Sequence, residues 1–355
     1  MKQVYAPRGP NVVVRLVISF NLMSTTPTPT QVQGPPPPVV KPAAIAKKVK
    51  TKTPAAQKKY GASIFPQSPL PDKFVAAVKD LEALLKAPPW LIIQDALPRH
   101  GPPQQFEHLD DSVLSAFMTC RPHLPNKPLD IIIDSPGGEA KAAFQLANLF
   151  RSHCGGFNVY VYEWAKSAAT LFALGASNIH LSKFAELGPL DVQIFDPERE
   201  DICSALDEVQ ALERLNAFAL QALDAGVILL KSRSGKSVAT LLPQMLHFVA
   251  EMLSPLFEKL DTVHYTQMSR LLKIGEAYAI RLLEPKYGRP RAEEIARQLV
   301  NEYPEHGFYI DRAEASRIGL KTVAPPADME DALENLKEAA HALPYAVVIG
   351  EIKEI

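Results

Sequence analysis

The sequence predicts an α/β fold built on a mainly parallel sheet, with a helical insertion and a disordered N-terminal tail. Three observations carry this prediction. Between residues 72 and 181, short apolar runs of strand length alternate with segments of helical periodicity, the pattern of βαβ units. From Ile202 to Leu283 the periodicity is helical throughout. Residues 1–71 hold 13 of the 32 prolines and ten of the 38 Lys/Arg, but no acidic residue.

The elements follow in chain order. Residues 24–59 contain TPTPT, PPPP and a lysine-dotted run. Such a segment buries too little apolar area to offset its ordering entropy, so a disordered arm with polyproline II character is expected over 1–66. Order is expected to begin near Pro71. Asp72 to Lys86 has apolar residues at helical spacing and stops at Pro88-Pro89. Trp90–Gln94 reads as a buried strand, Phe106–Cys120 as a helix with Asp110 and Asp111 near its start, and Leu129–Ile133 as a second buried strand. A helix is expected from about Glu139 to His153, a strand at Asn158–Tyr162, a helix at Ala168–Gly175 and a strand at Asn178–Leu181. Buried runs of this kind belong to parallel strands covered on both faces, joined by right-handed crossovers. The long helical stretch should break near Gly235 and Pro255, and a helix–loop–helix should run through Arg291–Val300 and Arg312–Ile318. A C-terminal extension, 323–355, reads as a helix followed by an apolar strand at Tyr345–Ile349.

The bulk numbers exclude several classes. The formal net charge of −1 is the sum of a tail at +10 and a body, from Asp72 onward, at −11. It therefore says nothing about partners by itself. The tail lacks aromatic interleaving and Arg-rich runs, so a nucleic-acid partner is not expected. Three cysteines, Cys120, Cys154 and Cys203, have no metal-ligand spacing and are odd in number. They read as thiols of a reducing compartment, which points to a cytoplasmic protein. No metal or cofactor is expected. There is no run of 18 apolar residues, so no spanning helix is expected. Asn11–Met23 is apolar but interrupted by Arg15 and lacks a clear cleavage site, so it does not read as a secretory signal. Met23 is equally placed to be the start of translation.

Two loops carry chemistry. Asp134-Ser135-Pro136-Gly137-Gly138 lies between a buried strand and a helix. Paired glycines there allow a sharp turn and bare N–H groups near a helix N-terminus, which suits an anion or oxyanion. Taken alone, this is equally a simple tight turn. Glu163 to Thr170 (EWAKSAAT) lies between the next strand and its helix. Ser167 at that junction is either an exposed nucleophile with the Ala168 amide beside it or a helix N-cap. In consecutive parallel βα units both loops emerge at the carboxyl edge of the sheet. Ser167 and the Gly137/Gly138 amides can therefore converge on one carbonyl.

This succession of strand, SPGG, helix, strand and KSAAT, with 29 residues from Gly138 to Ser167, resembles the ClpP/crotonase superfamily. More narrowly it resembles the serine dehydrogenase proteinase family of Clp-fold serine peptidases, related to signal peptide peptidase A. Glu186–Asp191 (ELGPLD), Tyr303–Phe308 (YPEHGF) and Asp311–Leu320 (DRAEASRIGL) match further, so the resemblance covers roughly 72–322. It implies a ClpP/crotonase-like βα spiral over 67–322, with 202–284 as a helical insertion, and assembly into a homo-oligomer. It also implies that Ser167 is the nucleophile, with Gly137 or Gly138 and Ala168 as oxyanion-hole positions.

The general base is open at this stage. A ClpP-type triad would place a histidine about one βα unit after the serine, and residues 188–196 (GPLDVQIFD) contain none. Lys166 adjoins Ser167 and is poorly aimed, because neighbours at a helix start diverge by about 100°. It reads better as a solvated lysine or a substrate contact. Lys231, Lys236 and Lys273 are the lysine candidates, each needing burial to act as a base near neutral pH. Lys273 lies on an amphipathic helix, where a surface lysine is the default. His306 precedes the closing helix and matches a family position. His180, on a strand, reads as a packed core residue. Asp191 is suited either to orienting a base or to capping a turn.

Three functions are therefore in play. The first is a serine endopeptidase acting on protein or peptide substrates. The second is a catalytically degenerate scaffold, favoured by the missing histidine. The third is a crotonase relative handling acyl-CoA, which would need no serine at 167.

Overall fold

The structure, a computed structural model, describes residues 58–94, 105–196 and 201–355. The expected tail lies outside the described residues as far as position 57. The fold is mixed α/β with a mostly parallel sheet. Strands β1 (Tyr60–Ala62), β2 (Trp90–Gln94), β3 (Leu129–Ser135), β4 (Phe157–Ala165), β5 (Asn178–Leu181), β6 (Glu186–Leu187) and β9 (Val347–Glu354) form one sheet. Its order is β1-β9-β2-β3-β4-β5, with β6 continuing on the edge of β4. β2, β3, β4 and β5 pair in parallel, while β9 runs antiparallel to both β1 and β2. A separate antiparallel hairpin is made by β7 (Gln193–Asp196) and β8 (Asp201–Ser204).

The apolar strand runs are explained by two-sided burial. One face packs under α2 (Asp111–Cys120), α3 (Ala140–His153), α4 (Ala168–Leu174), α7 (Thr262–Tyr287) and α8 (Arg289–Asn301). The other face is covered by α1 (Asp72–Leu85) and α10 (Ala327–His341). Ile131 and Ile133 point to the first layer and Ile132 to the second, as the strand period of two requires. Burying each such side chain contributes roughly 1.5–3 kcal/mol. Phe150 touches three aromatic rings, Phe117, Phe157 and Phe172, at 5.3–5.9 Å between centroids, and this cluster anchors α3 and α4 to the sheet. α2 begins one residue after Asp110, whose carboxylate accepts the Ser112 and Val113 amides, a standard N-cap.

Ordered structure starts before Pro71, because Tyr60–Ala62 find a partner in β9. The expected C-terminal extension is likewise integral to the sheet, since β9 lies between β1 and β2. Both pairings are made across the length of the chain, so local periodicity does not reveal them. The long helical stretch divides into α5 (Ala205–Ser234), α6 (Val238–Phe257) and α7. Gly235, in the left-handed region, ends α5, whereas Pro255 is accommodated in the last turn of α6. Among the described residues α5 is the one helix long and apolar enough, by length and composition, to cross a membrane, and its apolar stretch is unburied. α5 and α6 pack on each other and leave Phe218, Ile228, Leu246 and Phe248 exposed. α7 instead docks on the sheet layer, stacking Tyr278 on Phe144 at 4.4 Å.

His180 lies on β5 and stacks flat on Tyr160 at 4.3 Å. Burial holds its pKa below the ordinary 6.5, against a weaker opposing pull from Asp130. Below 6.5 the unfolded chain binds a proton that the folded chain does not, so stability must fall as pH drops from 6.5 toward the folded value. The loss of thermal midpoint between about pH 7 and pH 5 should therefore be smaller in His180→Phe than in the wild type. Equal acid sensitivity of the two proteins would refute this.

Candidate active site

The site begins at the carboxyl ends of β3 and β4. β3 and β4 pair regularly from Leu129↔Phe157 to Ile133↔Val161, then shift register so that Ser135 faces Ala165. Asp134, almost fully buried, fills this irregularity by accepting the Trp164 amide (3.1 Å) and the Tyr162 hydroxyl (3.2 Å). The Lys166 amide then donates to the Ser135 carbonyl at 3.0 Å. These contacts lock the end of β4 against the SPGG turn.

Ser167 follows at φ 50° and ψ −120° and opens α4, and its side chain makes no capping hydrogen bond. A left-handed conformation is uncommon for a residue with a Cβ, and here it turns the chain sharply from strand to helix. The turn leaves no room opposite. A Cβ on Gly137 would lie 2.5 Å from the Lys166 carbonyl oxygen and 2.9 Å from the Ser167 Cβ, and Gly137 itself has φ +98°. The pairing of SPGG with KSAAT is thus a backbone-to-backbone contact that only glycine permits.

A buried relay holds the glycine turn. Gln94 Nε2 donates to the Phe106 carbonyl (2.7 Å), Ser135 Oγ donates to Gln94 Oε1 (2.6 Å), and the Gly137 amide donates to Ser135 Oγ (3.1 Å). Gly137 therefore spends its N–H internally. The amides of Gly138 and Ala168 have no hydrogen-bond partner among the described residues. Of the two glycines, Gly138 is the one whose amide is available beside that of Ala168, and a pair of such donors suits an oxyanion.

The ELGPLD segment is fixed to the serine loop by Thr170. Its hydroxyl donates to the Ala165 carbonyl at 2.5 Å and accepts the Gly188 amide at 2.9 Å. Three residues on, Asp191 is 5% exposed and both its oxygens are engaged. Oδ2 accepts Ser204 Oγ at 2.8 Å, and Oδ1 lies 2.8 Å from His306 Nδ1. His306 comes from the loop between α8 and α9 (Arg312–Arg317). That loop is held by a two-way backbone pairing of Ile310 with Leu187, and by Tyr303, which packs on Phe308 and donates to Glu314.

Ser167, Ala168, Gly138, Asp191 and His306 all line one cleft of about 310 Å³. Its remaining wall is largely apolar: Leu171, Leu190, Val192 and Ile194, with Leu271, Ile274 and Gly275 of α7. Glu139 stands at the rim, its carboxyl pushed up by burial and by neighbouring Asp111 and Asp110. Lys273 is exposed on α7 and points away from the lining that its neighbours form. Lys231 and Lys236 are exposed at the α5–α6 turn. Lys166 is neither solvated nor in the cleft lining. It is mostly buried and ion-paired with Glu186 at 2.8 Å. His180 is on β5, stacked on Tyr160. The described residues contain no cluster of His, Cys, Asp or Glu able to hold a metal ion.

Gln94, Ser135 and Thr170 escape sequence reasoning, although each leaves a trace. Gln94 and Ser135 are polar residues closing apolar strands, and Thr170 interrupts a run of small and apolar residues.

A parallel βα sheet with its serine turned out beside a Gly-Gly loop is the arrangement of the Clp fold. The family model described as ClpP-like SDH-type serine proteinase matches residues 94–220, so this stretch, which holds both loops of the site, is similar to a family of Clp-fold serine peptidases. Two curated relatives, both uncharacterized proteins of Methanocaldococcus jannaschii, are 27% and 26% identical over 195 residues. The match covers 55% of this chain and 53% and 51% of theirs, so the chain spans about half the length of the curated relatives it matches. Among solved structures, a ClpP1 mutant from Listeria monocytogenes aligns with a TM-score of 0.28 at 14% identity, over 62% of this chain and 90% of that one.

Replacing Thr170 by valine keeps the shape but strands the buried Gly188 amide. Loss of such a partner costs about 1–3 kcal/mol, which urea unfolding of Thr170→Val should register. A variant as stable as the wild type would mean that the hydroxyl does not tie the two loops together.

Proposed function

We propose that this protein is a serine peptidase whose nucleophile, base and orienting acid are Ser167, His306 and Asp191. The observation that carries the proposal is the 2.8 Å Asp191–His306 pair lining the same cleft as Ser167 and the unengaged Ala168 and Gly138 amides. With Nδ1–H donating to Asp191, the lone pair of His306 is on Nε2, the tautomer a general base requires. Ser167 Oγ attacks the peptide carbonyl and passes its proton to His306 Nε2. The negative charge that develops on the carbonyl oxygen is taken up by the two amides. His306 then protonates the leaving amine, and a water molecule, deprotonated by the same nitrogen, hydrolyses the Ser167 ester. Asp191, held on its far side by Ser204, stabilises the transient imidazolium.

The scaffold reading is supported by the missing histidine after the serine, and the Asp191–His306 pair lining the same cleft as Ser167 weighs against it. A lysine base is disfavoured by the exposure of Lys273, Lys231 and Lys236 and by the pairing of Lys166 with Glu186.

A fluorophosphonate probe should label Ser167 and spare Ser167→Ala. In His306→Ala the labelling rate should fall by about 10²–10⁴-fold, the usual worth of a general base. Intact-mass analysis locates the adduct, and the absence of labelling from pH 6 to 10 would rule the hydrolase out. Peptide cleavage lost with Ser167 distinguishes a peptidase from a thioesterase, which would instead turn over acyl-CoA.

The same reading includes a homo-oligomer whose contact is the exposed apolar face of α5 and α6. Leu246 and Phe248 are each more than half exposed there, and Val238, Leu242 and Leu246 repeat at four-residue spacing along α6, a stripe suited to another helix. Light scattering on the wild type should give a multiple of 39.0 kDa, and Leu246→Glu with Phe248→Glu should give the monomer. A monomeric wild type at about 50 μM would remove this assignment.

A further inference from the structure

Lys166, next to the nucleophile, is built into the structure in a way that the proposed chemistry does not itself use. Its stem runs against Gly188, where a Cβ would lie 2.7 Å from Lys166 Cδ. Its ammonium then pairs with Glu186 Oε1 at 2.8 Å and donates to the Phe308 carbonyl at 3.4 Å. The two side chains are only 13% and 14% exposed. Burying two charges is costly, and simple packing of this corner would be served by apolar residues. The pair joins three segments: the serine loop, β6 some 20 residues further on, and the distant loop that carries His306 two residues before Phe308. The lysine's own amide is tied to Ser135, so its backbone is fixed by the same contacts that set the Ser167 turn.

We propose that Lys166, through Glu186 and the Phe308 carbonyl, is a positioning residue that sets the His306 ring relative to Ser167. The inference rests on the serine-peptidase reading above, in which His306 is the base. The backbone pairing of Ile310 with Leu187 fixes the far end of the loop, and Asp191 fixes the ring nitrogen. The Phe308 carbonyl lies between these two restraints, and Lys166 is the donor that reaches it. The ammonium directs a side chain it does not touch, and Ser167 gains a base whose place is set from the nucleophile's own loop.

A double-mutant cycle on the full chain tests this, with the second-order rate of fluorophosphonate labelling as the readout. Lys166→Met retains much of the stem and removes the charge. It should slow labelling about 10–100-fold and change the pH dependence of the rate, with the midpoint of urea unfolding recorded alongside. His306→Ala and the double variant Lys166→Met/His306→Ala should label at the same rate within about twofold, because groups acting through one another are not additive. Glu186→Gln, which keeps the lysine and weakens its partner, should give a smaller loss in the same direction and serves if Lys166→Met does not fold. Unchanged labelling in Lys166→Met, or losses that multiply in the double variant, would overturn the positioning role while leaving His306 as the base. Unchanged labelling in His306→Ala would overturn the base assignment and the positioning role with it.

Discussion

Ser167 holds a backbone conformation that a residue with a side chain adopts only when its surroundings impose it. The site is organised around imposing it. The carbonyl and Cβ atoms of the turn press against Gly137. The register shift between β3 and β4 brings Ser135 opposite Ala165, and Asp134 fills the irregularity with its carboxylate. Neither loop has its shape without the other, because each is the wall against which the other turns. Energy stored in such a turn is of order 1–3 kcal/mol, and the dense aromatic and aliphatic packing behind α3 and α4 sustains it.

The βα core was readable in the sequence because its determinants are local. A five-residue run such as WLIIQ is long enough for a buried strand and too short for a helix. A helix such as α1 announces its period and its stop at Pro88-Pro89. The loop that carries Ser167 was readable for the same reason, since strand, turn and helix are adjacent in the chain. β1 was not, because it becomes a strand by pairing with residues nearly 300 positions away; the C-terminal strand is legible as an apolar run, but its place between β1 and β2 is not. The short β7–β8 hairpin was equally hidden by its lack of strong alternation.

The polar half of the site shows the same division more sharply. Asp191 follows the serine loop closely, and its sequence context suits either orienting a base or capping a turn. His306 was one of several candidates because nothing within YPEHGF specifies which strand end it will meet. That meeting depends on a backbone bridge from Ile310 to Leu187, on α8 placing Leu299 to accept the Leu190 amide, and on a charge pair beneath the loop. Side chains that act at such distances leave no periodicity or spacing to read. Lys166 is the clearest case: by spacing it is a surface or substrate-facing lysine, and in the fold it is an internal strut.

The insertion of β9 between β1 and β2 has a consequence for how the molecule comes into being. β2 is apolar up to its closing Gln94, and one of its edges is satisfied only by a segment synthesised more than 250 residues later. During synthesis that edge presents unpaired backbone groups flanked by Leu91, Ile92 and Ile93, the kind of template on which chains pair with the wrong neighbour. Ser167, Gly138, Ala168 and Asp191 are made before β9, so the residues that line the cleft precede the strand that closes the sheet. The interval between the two is the period in which a nascent chain of this kind most needs shielding from its neighbours.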